Sequence, residues 1–273
     1  MLGQNRYGKS GIRVARLSRH AGRHDFKDVT VAIACEGDFE AAHIRGDNAA
    51  VLPTDTMKNT VYALAKEKPL EEIESFGLAL AEHFLKASPE MACVTVEISE
   101  RLWKRIDGDA FELPGRERRL AKISGTRQGA AVEAGLDGLL IAKTSKSGFS
   151  GFRRDRYTTL KETEDRILAT ALSAWWSYAE GDLSYGLLWR AVRQTLLETF
   201  AAHDSKSVQH TLYAMGEAVL ESHDAVSGIH LTMPNKHHLL ADLSPFGLEN
   251  SNEVFVPTEE PYGLIEATVR RSS

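Results

Sequence analysis

Three short segments hold the side chains of this chain that could do chemistry. The first is Pro53-Thr54-Asp55-Thr56-Met57-Lys58-Asn59-Thr60. The second is Phe149-Ser150-Gly151-Phe152, with the run Tyr157-Thr158-Thr159-Leu160-Lys161-Glu162-Thr163-Glu164-Asp165-Arg166-Ile167-Leu168 after it. The third is Pro234-Asn235-Lys236-His237-His238. Hydroxyls, carboxylates, amides, a guanidinium and imidazoles are all represented, so proton transfer and recognition of a polar ligand are both within reach. Each segment also has a plainer local reading. Thr54 or Asp55 caps a helix, because a short polar side chain accepts from orphan N–H groups. The charges after Tyr157 form a solvated surface, Phe149 belongs to a core, and Pro234 to His238 makes a turn.

Familiar catalytic signatures are missing. There is no G-x-x-x-x-G-K-[ST] loop, no G-x-G-x-x-G after a strand, no G-x-S-x-G elbow and no H-E-x-x-H helix. His20 and His24 have helical metal spacing but flank segments that read as extended, and His203, His210, His237 and His238 lack a carboxylate at ligand spacing. Cys35 and Cys93 are the only cysteines and form no C-x-x-C pair. They read as two buried thiols in a reducing compartment, and a metal enzyme is disfavoured.

Elements with clear periodicity must position these segments. Ile12 and Val14 open one extended stretch, and Asp25 to Cys35 carries another. Asp55 to Lys66 reads as a helix, and Pro69 restarts a longer one with the apolar stripe Ile73, Phe76, Leu80 and Phe84. Val94-Thr95-Val96-Glu97-Ile98-Ser99 alternates as a half-buried strand, and extended pieces follow at Ala121 to Ser124 and Gly138 to Lys143. The order then repeats. Leu168 to Tyr178 is a strand. A helix from Ser184 carries Leu188, Val192, Leu196 and Phe200, and another from near Ser205 carries Val208, Leu212, Met215 and Val219. Strands return at Ile229, Leu231 and Met233 and at Ile265, Ala267 and Val269. Strands, two helices, then strands, twice over, predict an α+β fold in two modules, residues 1–144 and 145–273.

The 273 residues carry 42% hydrophobic and 26% charged side chains, enough for a full core, and a formal net charge of −5, which gives no electrostatic case for nucleic acid. No apolar run reaches the roughly 18 to 20 residues of a membrane helix. The first nineteen residues lack a signal-peptide core, and the ending Arg270-Arg271-Ser272-Ser273 is no peroxisomal or retention signal. A cytoplasmic location is expected.

Taken together, the polar segments are specific. Tyr7-Gly8-Lys9, then Thr54 to Thr60, then Tyr157-Thr158-Thr159-Leu160 running into Asp165-Arg166-Ile167-Leu168, then Pro234-Asn235-Lys236-His237, and last Gly263-Leu264-Ile265-Glu266-Ala267-Thr268-Val269 succeed one another along nearly the whole chain. In this order and spacing they resemble the urate oxidase (uricase) family. The resemblance implies tandem tunnelling-fold (T-fold) modules, antiparallel sheet with helices on one face, assembling as a homotetramer around a β-barrel tunnel with active sites at subunit interfaces. One subunit would supply Lys9, Thr54 and Asp55. Its neighbour would supply Phe149, Arg166, Val208, Gln209, Asn235 and His237. The implied reaction oxidises urate with O2 and water to 5-hydroxyisourate and hydrogen peroxide, without metal or organic cofactor.

Within that resemblance the residue types make chemical sense. Arg166 offers a fixed fork of donors to a planar anion. Gln209 supplies a donor and an acceptor, Phe149 a stacking face, and Val208 and Asp55 backbone contacts. Lys9, Thr54 and His237 form a proton relay, and Asn235 holds O2 and then the attacking water. Pro53 and the short tails depart from the family pattern without removing a catalytic group. The alternative is a non-catalytic purine- or pterin-binding protein on the same fold, which needs Arg166, Gln209 and Phe149 but not the relay. A zinc-dependent cyclohydrolase of that fold needs Cys/His ligands that this chain does not offer.

Overall fold

The computed structural model describes residues 1–179, 181 and 183–271, so Ser272 and Ser273 of the ending read above lie outside the described residues. The chain divides into two compact units, Met1–Gly135 with Ser177–Trp189, and Leu136–Trp176 with Arg190–Ser273. It is α+β, as the alternating patterns predict. Among the described residues the strands of neither unit close into a barrel. No described helix is long and apolar enough to cross a membrane.

The first unit opens with β1 (Tyr7–His20) and β2 (Arg23–Gly37), an antiparallel hairpin. Three helices follow: α1 (Glu40–Arg45), α2 (Thr54–Glu67) and α3 (Ile73–Ala87). Then come β3 (Met91–Arg101), a small hairpin of β4 (Lys104–Asp107) and β5 (Ala110–Glu112), β6 (Arg118–Thr126) and β7 (Gly129–Lys143). β2 pairs with β3, and β3 with β6, both antiparallel. The period of α3 explains its place: Ile73, Phe76, Leu80 and Phe84 are all buried, against Val94, Val96 and Ile98 of the alternating β3 and Ile123 of β6. α3 begins at Ile73 rather than Pro69, because Leu70 is drawn into the core and residues 69–72 bend to let it in. His20 sits at the hairpin end, 3.5 Å from Asp25.

The second unit takes the chain from β7 into β8 (Leu168–Tyr178), α4 (Tyr185–Ala202) and α5 (Val208–Ser222). It continues with β9 (Val226–Lys236), a second small hairpin of β10 (His238–Leu240) and β11 (Phe255–Pro257), and β12 (Gly263–Arg270). Val208, Leu212, Met215 and Val219 are buried as the stripe requires, with Ile229, Leu231 and Met233 of β9. On α4, Val192, Leu196 and Phe200 are buried, but Leu188 is only half-buried and Trp189 takes the inward position instead. α5 starts at Val208, three residues later than expected, where Ser207 accepts a hydrogen bond from His210 N–H at 3.1 Å. β9 and β12 are antiparallel, with Asn235 opposite Gly263 and Pro234 opposite Leu264, so that segment is a strand end and not a turn.

One feature of the first unit was invisible in the sequence. Glu74 of α3 and Arg119 of β6 form an ion pair of 2.5 Å, with side chains 0% and 5% exposed. Burial pushes the Glu74 carboxyl up, and the Arg119 charge pulls it back. The guanidinium also lies 5.6 Å from the Trp189 ring, whose N–H donates to Gly135 at 2.7 Å. Removing one partner strands a buried charge. Glu74→Gln should therefore cost about 3 to 5 kcal/mol in urea unfolding, while Glu74→Leu combined with Arg119→Met should cost far less. Equal losses in the two variants would show that the charge itself is not what the site must satisfy.

Candidate active site

Three of the nine expected site residues lie in the first unit. The Tyr7 hydroxyl accepts from Leu52 N–H at 3.1 Å, and its ring meets Phe39 edge-on at 4.7 Å. This ties the start of β1 to the approach of α2. Gly8 allows the next step. A Cβ there would fall 1.8 Å from the Ile33 carbonyl oxygen, so the close approach of β1 to β2 needs glycine. Lys9 pairs with Ile33, and a bulge follows it before Ile12 resumes the ladder.

The helix entry differs from the local reading. Pro53, not Thr54 or Asp55, occupies the N-cap position, and no side chain caps the helix. Thr54 is already inside the first turn, half-buried, and among the described residues its hydroxyl makes no hydrogen bond. The Asp55 carboxylate bonds Lys58 and accepts from Asn59 Nδ2 at 3.1 Å. The Lys58 bond and charge hold that carboxyl below its usual range, and the Lys9 charge adds to the effect. Lys9 thus lies within electrostatic reach of the start of α2.

The other six residues lie in the second unit, on three segments that backbone hydrogen bonds stitch together. Gly148 N–H donates to Ser205 O at 2.8 Å, and Ser205 N–H to Lys146 O at 2.9 Å. Phe149 and Thr163 exchange N–H···O bonds of 2.7 and 3.1 Å. Phe149 is therefore held beside the segment that leads to Arg166 on one side, and beside the approach to α5 on the other. At the third segment His237 O accepts from Thr258 N–H at 2.8 Å, which pins the residue between β9 and β10.

Phe149, Arg166, Asn235 and His237 all line one cleft of about 470 Å³. Asn235 is buried and His237 half-buried. The Arg166 guanidinium carbon is 5.3 Å from the Phe149 ring centre. Arg166 Nε is buried with no hydrogen-bond partner among the described residues, and burial pulls the guanidinium below its usual pKa. A partly desolvated cation with no carboxylate partner among the described residues is a place for an anion. Val208 and Gln209 do not line this cleft. They form the first turn of α5, Val208 buried and Gln209 exposed, where the helix leaves N–H groups without intrahelical acceptors. A larger cleft of about 600 Å³ against α3, lined by Leu78, Ala81, Leu85 and Arg127, carries none of the nine residues. Phe152, which stacks on Phe149, was missed. The only sequence signal for it is the F-S-G-F spacing.

The first half therefore offers an amine, a free hydroxyl and a carboxylate. The second offers a cleft with an aromatic ring, a half-buried guanidinium, an amide and an imidazole. A family model described as uricase matches residues 5–126 and 132–266. The uricase of Arthrobacter globiformis is 46% identical over 275 residues, covering 99% of this chain and 90% of that protein. The uricase of Dictyostelium discoideum is 37% identical, covering 98% and 96%. The crystal structure of the Arthrobacter globiformis uricase superposes with a TM-score of 0.96 at 44% identity, covering 99% of this chain and 95% of that one.

The geometry around Lys9 makes its own prediction. Gly8→Ala leaves its methyl no space and must push β1 off β2, taking Lys9 with it. A loss of about 1 to 3 kcal/mol in chemical denaturation is expected, the usual cost of forcing a methyl into a filled space. An unchanged midpoint would mean that the strands can separate here freely.

Proposed function

The chain belongs to the uricase family, whose members are urate oxidases, and from that premise we propose that it oxidises urate with O2 and water to 5-hydroxyisourate and hydrogen peroxide, using neither metal nor organic cofactor. The observation that carries the reading is the half-buried Arg166, its Nε buried and without a partner among the described residues, beside the Phe149 ring in one cleft with Asn235 and His237. Urate at neutral pH is a planar monoanion. The guanidinium fork takes two acceptors on one edge of the purine, and the Gln209 amide pairs with another edge. Phe149 stacks on the ring, and Val208 and Asp55 add backbone contacts.

Transfer of electrons to O2 needs a more electron-rich ring, which loss of a second proton provides. Lys9 accepts that proton through the Thr54 hydroxyl, and His237 completes the relay. A hydroxyl with no other bond can donate to one neighbour while accepting from another. Two electrons then pass from urate to O2, and the water held by Asn235 adds its oxygen to C5. One proton of that water stays on the new C5 hydroxyl, and its other proton, with the one the relay took from urate, leaves on reduced oxygen as hydrogen peroxide. A purine-binding module without chemistry has no use for a lysine within electrostatic reach of the α2 entry, where Thr54 keeps its hydroxyl free among the described residues.

Among the described residues neither unit closes a barrel, β1 pairs only with β2, and β12 pairs only with β9. Those edges are where copies of the chain add to one another, giving a homotetramer with the tunnel between subunits. Each complete site then takes Lys9, Thr54 and Asp55 from one chain and the other six residues from its neighbour.

Two experiments test this. Aerated urate added to exhaustively chelated protein should lose its absorbance band, with one O2 consumed and one peroxide formed per urate. Absence of peroxide refutes the reaction, and activity that returns only with one added metal refutes the cofactor-free reading. Thr54→Ala and Arg166→Ala should each be inactive alone. Mixed under conditions of subunit exchange, they should regain activity, because some interfaces combine two intact halves. A mixture that stays dead after confirmed exchange would place each site within one chain.

A further inference from the structure

Phe152 has no role in the reaction described above, yet it is the nearest aromatic neighbour of the ring that receives the substrate. The Phe149 and Phe152 rings are 4.9 Å apart between centroids and only 12° from parallel. Gly151 makes this possible. Its φ of +67° is in the left-handed region, and the turn it forms folds the chain back so that the two rings face each other. On the far ring the Arg154 guanidinium carbon lies 5.0 Å from the Phe152 centre, and Arg154 is 3.8 Å from Glu162. The sequence of groups is therefore Arg154, Phe152, Phe149.

Phe149 lines the cleft with Arg166, and Phe152 does not. Phe152 thus stacks on Phe149 without itself lining the cleft. The backbone of Phe149 is already fixed by its two bonds to Thr163, which leaves the side-chain torsions as its remaining freedom. A parallel ring at stacking distance removes much of that freedom and holds the Phe149 ring in one plane. We propose that Phe152 is a positioning residue for urate binding: it acts through Phe149, as the backing plate that fixes the plane on which the purine stacks. This rests on the proposed function, because it takes urate as the occupant.

A flat face, and not simple bulk, is what the role requires. Phe152→Leu fills most of the volume and loses the plane, whereas Phe152→Tyr keeps the plane. A preformed stacking face serves ground state and transition state alike, so its loss raises KM and leaves kcat largely alone. The experiment measures urate dissociation constants by equilibrium dialysis under argon, where no turnover occurs, beside KM and kcat in air. Phe152→Ala and Phe152→Leu should weaken both binding and KM by about threefold to tenfold, and Phe152→Tyr should restore both. Leucine performing as well as tyrosine would overturn the proposal, since filling alone would then suffice. So would a fall in kcat with binding unchanged. If the alanine variant does not fold, the leucine and tyrosine variants decide. Wild-type protein that binds urate under argon but makes no peroxide in air would sink the proposed reaction and leave this inference standing. Wild-type protein that does not bind urate would remove both.

Discussion

The second unit depends on one short piece of backbone, residues 147–149, held by hydrogen bonds on both sides. Gly148 is tied to Ser205, and Phe149 to Thr163. Ser147 and Ser205 are fully buried, so water does not compete for these bonds. Their effect is to bring together stretches far apart in the chain. Thr163 stands three residues before Arg166, and Ser205 three before Val208. The aromatic face, the guanidinium and the start of α5 are therefore fixed relative to one another by main-chain atoms. Side-chain changes elsewhere in these loops leave that frame in place.

Legibility in the sequence followed the range of the interactions. The stripe of α3 and the alternation of Val94 to Ser99 were readable because period alone sets which side faces the core. The starts of α3 and α5 were not. Leu70 and Ser207 shift them by contacts that no local pattern reveals. Trp189 displaces Leu188 for a similar reason, since its N–H must reach a carbonyl when buried. Of the site, the residue types could be read singly only as a helix cap, a surface run and a turn. Pro53 takes the cap and β12 straightens the supposed turn, so two of those readings fail against structure. What connected the segments was their joint order along the chain. The stitch at residues 147–149 and the ring pair at Phe149 and Phe152 are non-local or rotamer-level facts, and composition carries no trace of them.

The two units treat a desolvated cation in opposite ways. Arg119 meets Glu74 at 2.5 Å, and the pair closes on itself inside the first unit. Arg166 is half-buried, but among the described residues no carboxylate pairs with it. The first arrangement is structural, since its charge is answered within the chain. In the second the fold supplies the desolvation and leaves the answering charge to come from outside. Residue type is the same in both, and the partner alone separates a strut from a receptor.

An unanswered guanidinium also has a thermodynamic consequence for the protein at rest. The unliganded fold keeps a partly desolvated charge that the unfolded chain hydrates freely, so the empty state is less stable than the anion-bound one. Any flat anion that fits the cleft shifts the folding equilibrium by RT ln(1 + [L]/Kd), about 2.7 kcal/mol at a hundredfold excess over Kd. Shelf life and heat tolerance then become properties of the solution as much as of the chain. A preparation stripped of small planar anions would be its most fragile form, and the same protein resting with its ligand or product would outlast it.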